Sequence, residues 1–111
     1  MYSVFAHSNL ELKRLMNKLE EIAARIIKEQ ELIIGTIAWS EAESVSGLSV
    51  SGRKPPEIHI EGTDPKNVID SLVNKYVNLF GKAAQESCRE ASASILADLS
   101  VSEIPSTLLV A

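Results

Sequence analysis

Residues 64–99, DPKNVIDSLVNKYVNLFGKAAQESCREASASILADL, carry the strongest helical pattern of the chain. Asp64 followed by Pro65 is typical of a helix start, because the aspartate side chain accepts from first-turn amides and proline needs no amide partner there. Apolar residues then recur at helical spacing. They are Val68, Ile69, Leu72, Val73, Tyr76, Val77 and Phe80. This pattern predicts a long C-terminal helix.

Gly81 is a candidate for a kink or a break in that helix, although a helix also tolerates a single glycine, and the apolar face beyond it continues with smaller residues. An unbroken helix over this stretch would be about 52 Å long, whereas a compact chain of this length is about 34 Å across. Either Gly81 folds the helix back, or a second subunit covers the overhang. We predict a homodimer. Its expected interface residues are Ala84, Cys88, Ala91 and Ile95.

A first helix is predicted over residues 9–30, with Ser8 and Glu11 as a capping box at its start. Its apolar residues lie on one face. They are Leu12, Leu15, Met16, Leu19, Ile22, Ala23, Ile26 and Ile27.

Three segments between the helices favour strands. Residues 32–39 are apolar and rich in β-branched side chains, which predicts a buried strand. A short strand is expected between Val45 and Ser51. Residues 57–61 alternate polar and apolar, with Ile58 and Ile60 directed to the core.

Together these elements predict one α/β domain of the α+β type, covering residues 1–111. It has a long N-terminal helix, two to three short strands, and a long C-terminal helix with a candidate break near Gly81.

Composition limits the classes of function. The net charge of −4 disfavours direct nucleic-acid binding, which requires a basic surface. The single cysteine gives no internal disulfide, and no segment reads as a signal peptide or a membrane span. We therefore expect a soluble cytoplasmic protein that needs no membrane. No motif for a cofactor or for catalysis is found, so the sequence favours a non-enzyme.

The sequence offers a candidate metal site and a candidate ligand-binding pocket. Glu57, His59 and Glu61 share one strand face and form a candidate metal site, although a solvated strand face explains the same pattern. Trp39 and His59 are candidate ligand-binding residues for a pocket between sheet and helices.

The favoured function is a homo-oligomeric structural or interaction module. The first alternative is a regulatory domain that binds a small molecule, and the second is a small metal-dependent protein centred on His59. Cys88 lies on the apolar helix face, which indicates a buried core thiol rather than a reactive one.

Overall fold

A computed structural model describes residues 2–52, 57–62 and 64–109, with residues 2–9 described as helical backbone. The described part is α-rich and carries one small antiparallel sheet, which confirms the predicted class at that level. The elements are α1 (Tyr2–Ile34), α2 (Ile37–Glu43), β1 (Leu48–Ser51), β2 (Glu57–Ile60), α3 (Pro65–Phe80), α4 (Lys82–Leu96), and two 3₁₀ turns, Val101–Glu103 and Ser106–Leu108.

The first helix differs from its predicted bounds at both ends. It begins at Tyr2, so Ser8 lies within the helix and the predicted capping box is wrong. Glu11 instead pairs with Arg14, at 3.3 Å between carboxylate and guanidinium. The residues before Ser8 include neither glycine nor proline, so nothing in the sequence opposes helix continuation there.

The strand predicted over residues 32–39 is wrong. Residues 32–34 end α1, Gly35 and Thr36 form a turn, and α2 begins at Ile37. Ala38, Trp39 and Ala42 are fully buried, and this spacing of three and four residues matches a helix. β-branched residues disfavour a helix by only a few tenths of a kcal/mol each, so packing of the buried face outweighs them.

The other two strand predictions are confirmed. β1 and β2 pair antiparallel, with Val50 opposite Ile58. Ile58 and Ile60 are buried, whereas Glu57 and His59 are exposed. The Ile60 amide donates to the Glu20 carboxylate of α1 at 2.9 Å, which ties the hairpin to the first helix.

The predicted long C-terminal helix is broken at Gly81. Asp64 caps α3 as predicted, since its carboxylate accepts from the Asn67 amide at 3.2 Å. Gly81 has a φ of 76°, a backbone conformation that residues other than glycine rarely adopt. It separates α3 from α4. α4 packs against both α1 and α3. Of the two alternatives left by the sequence, Gly81 therefore turns the chain back.

The core lies between the helices and the inner face of the hairpin, and it is mainly aliphatic. Trp39 and Tyr76 are its largest fully buried side chains. The Tyr76 hydroxyl donates to the Ala38 carbonyl at 2.7 Å, which joins α3 to α2. Burial raises the pKa of this phenol, so it stays a neutral donor.

We predict that Ile58→Asp unfolds the protein, whereas His59→Ala does not. Ile58 is buried, and burying an unpaired carboxylate costs several kcal/mol, against a total stability of about 5–15 kcal/mol. The His59 side chain is 63% exposed, so its loss is expected to change stability by less than about 1 kcal/mol. Thermal unfolding followed by circular dichroism measures both variants. Equal melting temperatures would contradict the assignment of the strand faces.

Candidate functional site

The two candidate ligand-binding residues have opposite environments. Trp39 is fully buried in the core of the molecule, and a side chain with no exposed surface does not line an open pocket. His59 lies on the outer face of the hairpin, with most of its ring in solvent. The structure therefore does not bring these two side chains together on one accessible surface.

The candidate metal residues lie near one further acid that the sequence did not indicate. The Glu20 carboxylate is 3.9 Å from the Nδ1 atom of His59, and the same oxygen accepts from the Ile60 amide. Glu20 is separated from β2 by about forty residues, so only the fold brings them together. Within residues 2–52, 57–62 and 64–109 there is no group of three or more His, Cys, Asp or Glu placed to hold a metal ion. Glu57 and Glu61 are exposed.

The predicted interface residues on α4 are mostly covered by the chain itself. Ala84, Cys88 and Ile95 are buried within a single copy, and Ala91 is half-buried. Ser92, which the sequence analysis missed because it is polar, is fully buried beside them, with its hydroxyl donating to the Cys88 carbonyl at 2.8 Å. The long C-terminal helix predicted from the sequence therefore does not extend beyond the domain, because the chain turns at Gly81 and α4 packs against α1.

Cys88 is held in an unreactive environment. Gln30 of α1 is buried beside it and donates to the Ser87 hydroxyl at 2.7 Å and to the Cys88 sulfur at 3.6 Å. Burial raises the pKa of the Cys88 thiol to about 12, more than the Gln30 hydrogen bond lowers it. The thiol is therefore protonated at neutral pH, and the thiolate is the nucleophilic form.

We predict that thiol reagents label folded Cys88 at least about a hundredfold more slowly at pH 8 than the urea-unfolded chain. The pKa is raised from 9.0 to about 12 on folding, so only the unfolded state ionises between these values. The free energy of unfolding should accordingly fall as the pH rises from 9 to 12. Absorbance after addition of an aromatic disulfide measures the rate. Rapid labelling of the folded protein would show that the thiol is accessible.

An open cavity, which we call the Arg89 pocket, lies between α4 and the C-terminal segment. Its volume is about 470 Å³. It is lined by Arg89, Ala93, Leu96, Ala97, Val101, Ile104, Leu108 and Leu109. The sequence analysis missed it, because its two walls are formed by a helix and by an irregular tail with no recognisable pattern.

The tail that forms the outer wall is anchored by Asp70 of α3. Its carboxylate accepts from the Thr107 amide at 2.9 Å, from the Thr107 hydroxyl at 2.6 Å and from the Ser106 hydroxyl at 3.0 Å. Gln85 of α4 donates to the Thr107 carbonyl at 2.8 Å. These bonds hold the tail at a fixed distance from α4, so the cavity has defined walls.

Arg89 supplies the charge of this pocket. Its Nη2 atom donates to the Leu109 carbonyl at 3.4 Å, and its Nε atom is buried without a hydrogen-bond acceptor. None of the ion pairs formed among the described residues involves Arg89. A partly buried guanidinium thus lines an apolar cavity and has no ion-pair partner among the described residues.

A second surface extends from the amino-terminal part of α1, where the buried stripe of the helix outruns the body. Leu19 is fully buried, and Leu15 and Met16 are partly buried. Leu12, the next residue on the same face, is 63% exposed. α1 is about 50 Å long, which equals the longest dimension of the molecule, 49 Å. The chain therefore leaves the start of its own stripe uncovered.

Comparisons with protein-family models, curated proteins and solved structures find no match to this chain. Within the described residues, no helix combines the length and the apolar composition that crossing a bilayer requires.

Proposed function

We propose that this chain is a homo-oligomeric interaction module, in which two copies pair through the amino-terminal part of α1. The observation that supports this is the exposure of Leu12 at the end of a stripe that is otherwise core. All residues from Leu10 to Arg14 are exposed. The Arg14 guanidinium reaches the Glu103 carboxylate of the same copy at 3.5 Å, but the Leu12 side chain remains 63% exposed.

The energetics of an isolated helix favour a partner for this segment. A helical segment of about a dozen residues is marginal in water without tertiary packing, yet α1 continues to Tyr2. Each fully buried leucine contributes about 1.5–3 kcal/mol relative to exposure. Covering Leu12 would therefore stabilise both the contact and the helix that carries it.

A second copy of the chain is the occupant that we propose. Each copy carries the same uncovered stripe, and a twofold axis brings identical surfaces together. The segment also carries both signs of charge, with Glu11 next to Lys13 and Arg14, so two copies related by that axis can place opposite charges against each other.

The geometry of the described residues supports an interaction module better than it supports an enzyme or a metal protein. Cys88 is buried and protonated, and the exposed His59 has one nearby carboxylate, Glu20, rather than a set of ligands. The alternative of a metal-dependent protein centred on His59 thus has little support in the geometry. The alternative of a small-molecule domain has a specific observation in its favour, the Arg89 pocket, which is taken up below.

We predict that Leu12→Glu weakens self-association by at least about a hundredfold, because a twofold contact loses one buried leucine from each of its two copies. Leu10→Glu is the matched control. Leu10 is 68% exposed on the same helix, but a separation of two residues places it about 200° around the axis. Sedimentation equilibrium from 1 to 100 µM measures the dissociation constants, and circular dichroism verifies that both variants keep their helix content.

The expected result is a dimer for the unmodified chain and for Leu10→Glu, and a shift to monomer for Leu12→Glu. A monomeric unmodified chain over the whole concentration range would contradict the proposal. So would a Leu12→Glu variant that dimerises as tightly as the Leu10→Glu control, because the contact would then lie elsewhere.

A further inference from the structure

We infer that the Arg89 pocket binds an amphipathic carboxylate, a small molecule with one carboxylate group and an unbranched aliphatic tail. The inference is independent of the proposed function, because the pocket is formed by α4 and the C-terminal tail and does not include Leu12.

The carboxylate is specified by Arg89. A buried donor without an acceptor is costly, and a charged one more so; the Nε atom of Arg89 is such a donor. The bond to the Leu109 carbonyl is long at 3.4 Å, and no carboxylate of the described residues pairs with Arg89. A planar guanidinium presents a fork of donors that a carboxylate accepts with two oxygens at once. Because Arg89 lines the cavity, a carboxylate bound there would bring a negative charge against its guanidinium.

The aliphatic tail is specified by the rest of the lining. Apart from Arg89, every described side chain that lines the pocket is aliphatic, so none of these offers hydrogen bonds to a sugar or a nucleobase. No aromatic side chain lines the pocket, so flat rings have no stacking partner. The volume of about 470 Å³ is within the usual range for small-molecule pockets, about 300–1,000 Å³.

Two alanines, one in the last turn of α4 and one directly after the helix, create the space. Ala93 and Ala97 are one helical turn apart and both line the cavity, whereas Leu96 lies beside them. Both alanines are exposed, so they are not required by the core. A larger side chain at either position would occupy the volume that we assign to the tail, without disturbing the buried face of α4.

Charge and tail contribute in different ways to the expected affinity. The whole chain has a net charge of −4, which does not attract anions at long range, so recognition of the carboxylate depends on local contact with Arg89. Burial of the aliphatic tail supplies the rest of the binding free energy. Each methylene buried is worth about a fourfold gain in affinity, which predicts a steep dependence on tail length until the pocket is filled.

The test uses sodium hexanoate, octanoate and decanoate below their micelle concentrations, with decanol as the ligand that lacks a carboxylate. Isothermal titration calorimetry gives the affinities. We expect them to rise about fourfold per methylene along the series, and we expect decanoate to bind at least tenfold more tightly than decanol. Equal binding of decanoate and decanol would overturn the assignment of the carboxylate.

Three variants locate the site. Arg89→Gln should weaken decanoate binding about ten- to a hundredfold and leave decanol binding unchanged, because it removes only the charge-assisted contact. Ala97→Leu should weaken both ligands at least tenfold, because it fills the space. Arg25→Gln is the matched control: Arg25 is an exposed arginine of α1, hydrogen-bonded to Ser94 and Glu21, and lies outside the pocket.

Circular dichroism and melting temperature establish that all three variants fold. Decanoate binding by folded Ala97→Leu at the unmodified affinity would show that the tail adsorbs elsewhere, and would overturn the proposal. Equal losses in Arg89→Gln and Arg25→Gln would likewise overturn it, since a general loss of positive charge would then explain the effect.

Discussion

The turn at Gly81 determines how the second half of the chain packs on the first. Its φ of 76° ends α3 and starts α4 in a single residue, so that α4 lies on α1. The small residues of α4 then allow close packing, and Gln30 of α1 reaches Ser87 and Cys88 across the contact. The same turn brings the C-terminal tail back over α3, where Asp70 binds it. Both the core and the Arg89 pocket follow from this one backbone conformation.

Local sequence signals predicted the elements whose structure is decided locally. The Asp64–Pro65 helix start and the alternation at Ile58 and Ile60 hold in the structure, because capping and strand alternation involve only near neighbours. The segment around Trp39 forms a helix although its local sequence predicts a strand. Its β-branched residues favour a strand, but burial of one helical face of α2 decides the outcome, and that burial comes from α1 and α3. Propensity is a weak prior where packing is strong.

The candidate sites were harder to predict than the fold, since they join residues far apart in the chain. Glu20 reaches β2, and Arg89 reaches the tail through Leu109, without any motif to mark either contact. Leu12 has the spacing of a core residue, and only the end of the body along α1 makes it exposed. Sequence periodicity reports which face of a helix is apolar. It does not report which molecule covers that face. The apolar stripe of α4 is covered within one copy, whereas the α1 stripe is exposed at its amino-terminal end, at Leu12.

The distance between the start of α3 and the tail after α4 shows whether Gly81 turns the chain back. Nitroxide labels at Asn67→Cys and Ser102→Cys in a Cys88→Ala chain, diluted with unlabelled protein, report the intrachain distance by double electron–electron resonance. Lys66 donates to the Ser102 carbonyl at 2.6 Å, so the two labelled positions are close in the folded chain. If the helix ran unbroken to residue 99, three residues before the second label, residues 67 and 99 would be about 48 Å apart. The account predicts a distribution below half of that separation, and a distribution centred near 48 Å would contradict it.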